Sequence, residues 1–457
     1  MLNSFVFLGA LASSRFNLYR KGAKALSFFG ACLLSLLLAA CDAPSVPPAT
    51  TPEPIVLTAT VPPPSQTLAA PTPASVVTST GVISLVVWMD DEFAQAAQAA
   101  AGQPLTGTLS AFQALNLNTR VTVLPKKPAG KGGIEDLLVS TQAALPQAMP
   151  DLVTLDLGEL PRIVKEGVLQ PFDPQFAPSL QGDLYPFARQ AGQADGRIYA
   201  VPFSADVLQL VYDSSLLRTP PINWTELYSS SAKYAIAAGS DNGAVGDSFL
   251  VQYVALGGRF SDARGKASLD RTPLRDALEF YRTASQNSFV PNVLSLKSPD
   301  DGWRLFTSGR AVLADIGTHT YLRDRGQQRN VGYGAIPTRD GSLATVGHAW
   351  GFALTSADPT RRAAAQRLVE TVVSADVNAA WNRSANRLPV RKQSLVAWSS
   401  DFIYRDFINQ LLSVAVNRPG AAGSAVEIVL QGALQDVLAN NLSPSDAADK
   451  AIAALAR

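Results

Sequence analysis

The chain has 457 residues, 47% of them hydrophobic, and its 38 Lys and Arg nearly balance 37 Asp and Glu for a formal charge of +1. So balanced a surface lacks the basic excess that counterion release on a nucleic acid requires, which excludes nucleic acid as a general partner. Two cysteines make no disulfide framework, so stability must come from a large apolar core, which a chain of this length supplies in about two domains.

The first element is an apolar run from Ala25 to Ala40, preceded by Arg15, Arg20, Lys21 and Lys24. At roughly 16 residues it falls short of the ~20 that a spanning helix needs. The order of charge and then apolar run is that of a secretory leader, here with an n-region lengthened by Phe5, Val6, Phe7 and Leu8. Leu38-Ala39-Ala40-Cys41 resembles the bacterial lipobox, in which cleavage precedes the cysteine and the new N-terminus is acylated. Residues 1–40 are expected to be a lipoprotein signal peptide and Cys41 a membrane attachment point. Cleavage would leave 34 Lys and Arg against 37 Asp and Glu, a charge of −3. Residues 41–80 hold that cysteine and a stretch of Pro, Thr, Ser, Ala and Val carrying ten of the 31 prolines. This composition denies the backbone helix and ladder bonds, and predicts an extended tether; a glycosylated stalk has the same composition.

The folded part opens with Val82 to Trp88, an apolar, β-branched strand, then Met89-Asp90-Asp91-Glu92 and an alanine-rich helix. A second strand follows at Arg120 to Leu124 and a helix at Gly133 to Leu145; a third strand runs from Asp151 to Asp156, with a helix over Gly158 to Gly167. Further strands are expected over 198–213, 235–238, 311–316, 331–336 and 349–355, and helices over 249–256, 274–286, 360–373 and 445–456. The last helix has Ser443 as N-cap, Pro444 in its first turn and Asp446 three residues on. Strands alternating with helices predict helix-covered, mostly parallel sheets. In such sheets ligands sit beyond the carboxyl ends of the strands, where this chain carries Asp90, Asp91 and Asp156.

Motifs for catalysis are lacking. The two histidines, His319 and His348, are 29 residues apart and show no metal-ligand spacing. There is no G-x-S-x-G elbow, and Pro128 to Asp136, "PAGKGGIED", lacks the leading glycine and the Ser or Thr of a phosphate loop. No cofactor or metal is called for. Carboxylate pairs such as Asp90 with Asp156 would suit a glycosidase, which keeps a secreted hydrolase as a lesser reading.

"DGRIYAVPFSADVLQLVYDSSLL", Asp195 to Leu217, resembles the first lobe crossing of family 1 extracellular solute-binding proteins of the maltose-binding type. Four other pieces fall in that family's order: "MPDLVTLDLGELPRIVKEGVLQPFDP", "PINWTEL", "FTSGRAVLADIGTHTY" and "RLVETVVSADVNAAWNRSANRLPVRK". The likeness spans residues 81–457. It departs at Asn386-Arg387-Leu388-Pro389-Val390, where the family often reads Gly-Tyr-Leu-Pro-Val.

The resemblance implies an α/β, two-lobed periplasmic-binding-protein-like fold of type II, its lobes joined by crossing strands near Phe203, Ala335 and Ala375. Lobe 1 is expected to hold 81–204 and 336–374, and lobe 2 to hold 205–335 and 375–457. It implies a monomer that captures a small solute, a mono- or oligosaccharide first, and delivers it to the permease subunits of an ABC transporter. A sensor presenting its closed form to a membrane receptor is the alternative. The expected ligand contacts are Asp90, Asp91, Asp156, Asp206 and Asp241, which accept from hydroxyls, and Trp88, Phe203 and Trp350, which offer apolar faces. His319 and Arg387 complete the set; Arg387 also suits an acidic sugar or a phosphate ester.

Overall fold

The computed structural model describes residues 81–99, 104–128, 130–398, 401–420 and 424–456. The expected leader, Cys41 and the tether lie outside the described residues. Among those described, no helix is long and apolar enough to cross a membrane.

The described residues form twelve strands: β1 Ile83–Asp90, β2 Thr119–Lys126, β3 Leu152–Asp156, β4 Gln193–Ala194, β5 Arg197–Ile198, β6 Ala200–Asp213, β7 Tyr234–Ala235, β8 Leu313–Gly317, β9 Val331–Gly334, β10 Thr345–Leu354, β11 Leu388–Pro389 and β12 Ala415–Asn417. Ten of them join one sheet with the order β2-β1-β3-β10-β6-β8-β7; β11 and β9 add to β6, and β12 adds to β10. β1 is parallel to β2 and β3, as the alternation with helices predicts. The sheet is mixed beyond that point, because β10 lies antiparallel to both β3 and β6, and β6 antiparallel to β8 and β9. Apolar runs carry no direction, so the sense of these central strands was not readable from their pattern.

β6 organises the molecule. Its 14 residues are buried up to the last two, apart from half-buried Asp206, as expected of a strand covered on both faces. Ala200 to Val207 pair with β10, and Leu208 to Asp213 pair with β8 and β9. One strand therefore belongs to two sheet regions.

On the first region Phe203 packs among Phe93 at 4.8 Å, Phe352 at 4.8 Å and Trp381 at 5.3 Å. Trp381 comes from the helix Ala375–Ser384, which also places Asn378 and Asn382 so that both amides donate to the Phe203 carbonyl, at 2.6 and 2.8 Å. On the second region the helix Arg271–Asn287 buries Leu274, Ala277, Leu278, Tyr281 and Ala284, a helical spacing that turns one face to the core. Trp224, in the stretch quoted above as "PINWTEL", stacks on Phe280 at 4.8 Å and donates to Gln252 at 3.0 Å.

Most expected elements shift by one or two residues at their ends. The strand expected over 235–238 is cut to Tyr234–Ala235 because the amides of Ala238 and Gly239 donate instead to Val293 and Leu296 carbonyls. The helix expected over 158–167 shortens to Leu160–Lys165, since the Asp156 carboxylate takes the Gly158 amide at 2.9 Å and forms a turn first. The C-terminal helix Pro444–Leu455 begins as predicted, with the Ser443 hydroxyl accepting from the Asp446 amide at 3.1 Å.

Candidate functional site

A cleft lies where β3, β6, β8 and β10 end or change partners. The ladder sets His348 of β10 opposite Asp206 of β6, and Trp350 opposite both Ser204 of β6 and Asp156 of β3. Side chains two apart on a strand share a face, so His348 and Trp350 look the same way. Across β6, Gly317 ends β8 beside Leu208. A Cβ at Gly317 would come within 2.7 Å of the Asp206 carboxylate, so glycine is what lets this turn approach that acid. The carboxylate is then gripped: one oxygen accepts from the Thr318 hydroxyl at 2.6 Å and the His319 amide at 2.9 Å.

Three adjoining cavities open here. One of about 310 Å³ is lined by Asp206, Asp300, His319, Thr320, His348, Trp350 and Arg387 among others. A second of about 350 Å³ is lined by Asp156, Asp241, Asp247, Lys297, His348 and Arg418 among others. A third of about 220 Å³ adds Gln190 and Asn417 to Asp156, His348 and Arg418.

Charges on the cleft floor are paired before any solute arrives. His348 Nε2 sits 2.8 Å from Asp247 Oδ2. Arg418 donates to the other Asp247 oxygen, to Glu427 at 2.8 Å and to the Val245 carbonyl at 3.0 Å. Burial pushes the Asp247 acid up, but His348 and Arg418 outweigh it and hold it down at about 2. Burial likewise favours neutral His348, yet the Asp247 carboxylate raises it to about 9. At neutral pH Asp247 is therefore an anion held between two cations, His348 and Arg418.

The rim is different. Arg387 is 8% exposed and reaches Glu92 at 3.0 Å. Its guanidinium lies 4.1 Å from the centre of the Trp350 ring and 5.1 Å from Phe93. A cation stacked this closely covers one aromatic face, so Trp350 does not present both faces to the cleft. His319 is tied by Nδ1 to the Asn386 carbonyl at 3.1 Å.

Of the ten expected contacts, Asp156, Asp206, Asp241, His319, Trp350 and Arg387 line these cavities. Asp241 does so at an exposed edge, paired with Lys297 at 2.5 Å. The other four are placed elsewhere. Phe203 is 1% exposed in the aromatic core, packed among Phe93, Phe352 and Trp381 where the β6–β10 register shifts. Trp88 is 6% exposed and lies beneath Lys126, 4.7 Å from its ring centre. Asp90 is buried, and its carboxylate takes the Glu92 amide at 2.9 Å, at the start of the helix Asp91–Ala99; burial raises it to about 6. Asp91 is the first residue of that helix. None of these four lines the three cavities.

His348, Asp247, Arg418 and Glu427 were not among the expected contacts. The period of two from Trp350 is a signal that would have found His348. Asp247 and Arg418 are 171 residues apart, and no local spacing announces such a pair.

Among the described residues no group of three His, Cys, Asp or Glu is placed to hold a metal ion. The arrangement offers fixed acceptors, fixed donors and a partly covered indole, which suits hydrogen bonding to a polar solute.

Comparison with known proteins gives the same frame. Residues 107–405 match the family "Bacterial extracellular solute-binding protein". An uncharacterized ABC transporter extracellular-binding protein of Pyrococcus horikoshii is 24% identical over 342 residues, which is 70% of this chain and 76% of that one. Among solved structures, the cyclic α-maltosyl-1,6-maltose binding protein of Arthrobacter globiformis superposes with a TM-score of 0.66 at 19% identity, covering 82% of this chain and 98% of that one. The maltose-binding periplasmic protein of Listeria monocytogenes, in complex with maltose, gives 0.67 at 15% identity, covering 82% and 97%. A solute-binding protein of Thermotoga lettingae bound with α-D-tagatose gives 0.60 at 19%, covering 82% and 98%.

Proposed function

Because the chain belongs to the bacterial extracellular solute-binding proteins, we propose that it captures a small polyhydroxylated solute, a mono- or oligosaccharide, and hands it to the membrane subunits of an ABC transporter. The observation that carries this reading is the cleft itself. Asp156 and Asp206 present acceptors for hydroxyls, His348 and Arg387 present donors, and Trp350 supplies an apolar surface in the cavity it shares with Asp206, His348 and Arg387. A set that both donates and accepts suits a hydroxyl, which does both. The relatives named for maltose and its cyclic derivative, and the one bound to tagatose, support a sugar. Arg387 stacked on Trp350 leaves less aromatic surface than a long sugar chain would use, and favours a short one.

Closure is proposed between a lobe of residues 81–204 with 336–374 and a lobe of 205–335 with 375–457. In support, β6 changes partners between Val207 and Leu208, three residues past the first boundary. The chain would act as a monomer held outside the cell membrane by lipid on Cys41, since two or more acyl chains give stable attachment. Fatty-acid labelling of Cys41→Ser tests that part: labelling equal to the parent refutes it.

The binding reading is tested by a melting screen with sugars, polyols, amino acids and phosphate esters. A solute at a hundred times its dissociation constant stabilises the folded state by about 2.7 kcal/mol, a clear rise in melting temperature. If amino acids alone shift the transition, the sugar assignment is wrong.

A further inference from the structure

We propose that His348 is the donor on which the solute is seated: an imidazolium fixed at the cleft floor that gives its Nδ1–H to an oxygen of the bound solute. This rests on the reading that the cleft binds a solute. His348 is the one residue common to the linings of all three cavities, so a molecule filling any of them meets it.

Its hydrogen-bonding capacity is half used. Nε2 is committed to Asp247 at 2.8 Å, and Nδ1 has no hydrogen-bond partner among the described residues, while the side chain keeps 28% exposure. Asp247, which anchors the ring through Nε2, is itself held from behind by Arg418, and Arg418 by Glu427 and the Val245 carbonyl. A donor positioned in advance loses little freedom when the solute arrives.

The groups facing the ring decide its charge. Asp247 touches it, Asp206 stands opposite on β6, and Asp156 ends β3 beside it; Arg418 lies behind Asp247, and Asp300 and Arg387 share its cavity. Carboxylates dominate at close range, and the ring stays charged through neutral pH, with burial opposing and Asp247 prevailing. An imidazolium has two donors and no acceptor. At this point in the cleft a hydroxyl, ether or carboxylate oxygen is taken, and an ammonium group is refused.

Calorimetric titration of the full chain with glucose, maltose and maltotriose between pH 6.5 and 10 tests this. The tightest of the three should bind with constant affinity to pH 8 and weaken about tenfold through pH 9, the loss expected of one charge-assisted hydrogen bond. His348→Gln should bind about tenfold more weakly at pH 7 and show no such inflection. In Asp247→Asn the carboxylate that holds the charge is gone, so the inflection should move to the acid side of neutrality; a merely structural histidine would not move it. Where that variant fails to fold, the His348 ring signal of the parent is followed by NMR, with His319→Gln separating the two histidines. Titration near 6.5 there, or affinity indifferent to pH with His348→Gln equal to the parent, overturns the inference and leaves the binding reading standing. Failure of every sugar to bind at any pH overturns both.

Discussion

Raising the pH on the solute-free protein should weaken it through one ion pair. His348 titrates at about 9 in the folded chain against an ordinary 6.5, burial resisting the charge and Asp247 outweighing it. A group whose folded pKa is raised contributes stability that is complete below its unfolded pKa and is lost as pH rises through the folded one. The window is therefore about pH 6.5 to 9. At 1.36 kcal/mol per unit, a rise of about two and a half units is worth about 3 kcal/mol. The side chains of His348 and Asp247 are 28% and 14% exposed, so solvent screens the pair only modestly. Asp247, held down at about 2, expresses the same contact from the other side; it is not added, and it is lost only as pH falls through about 2. Urea unfolding at pH 6.5, 7.5, 8.5 and 9.5, for the parent and His348→Gln, isolates the effect, because other titrating groups cancel in the difference. The gap between the two proteins should shrink by about 3 kcal/mol across that range. A gap constant to within about 0.5 kcal/mol, the ordinary scatter of a neutral substitution, would refute the reasoning.

Other substitutions separate the floor of the cleft from its surroundings. Arg418→Met removes the guanidinium that donates to both Asp247 and Glu427 and should cost about 3–5 kcal/mol in urea unfolding, with Arg418→Met/Glu427→Gln recovering part of it. Phe203→Ala, in the aromatic core, should cost about 3–5 kcal/mol of stability, measured by the same unfolding. Asp206→Ala should instead weaken solute binding about tenfold or more, the value of a hydrogen bond to a charged group, as read by calorimetry. Asn382→Ala removes one of two amides on the Phe203 carbonyl and should cost about 1–3 kcal/mol in thermal unfolding.

The strands were legible wherever burial on both faces left an unbroken apolar run, as in β1, β3 and β6. Their relative direction was not, since β10 and β6 owe their antiparallel sense to the chain's return between two regions of the sheet. Short elements failed where a competing partner took the backbone, as the turn at Val293 to Leu296 does for Ala238 and Gly239. Of the acids expected at strand ends, Asp156 lines the cleft; Asp206, expected from the lobe crossing, sits in the middle of β6. Asp90 lies outside the three cavities, its carboxylate accepting from the Glu92 amide at the start of the helix that follows β1. Aromatic character alone does not separate Trp350, in the cleft, from Phe203, in the core: the distinction is one of register, and the ladder shifts by a residue between Trp350 and Gly351. His348 was within reach of the period of two from Trp350, but its pairing with Asp247, and that of Asp247 with Arg418, joins segments brought together by the fold alone.

The most direct test of the central claim is equilibrium dialysis of the purified chain against a mixture of labelled mono- and oligosaccharides, followed by chromatography of what the protein retains. Retention of one sugar at a single molar equivalent, recovered chemically unchanged and lost in Asp206→Ala, is the predicted result. Recovery of cleaved sugar, or retention of none, would contradict it.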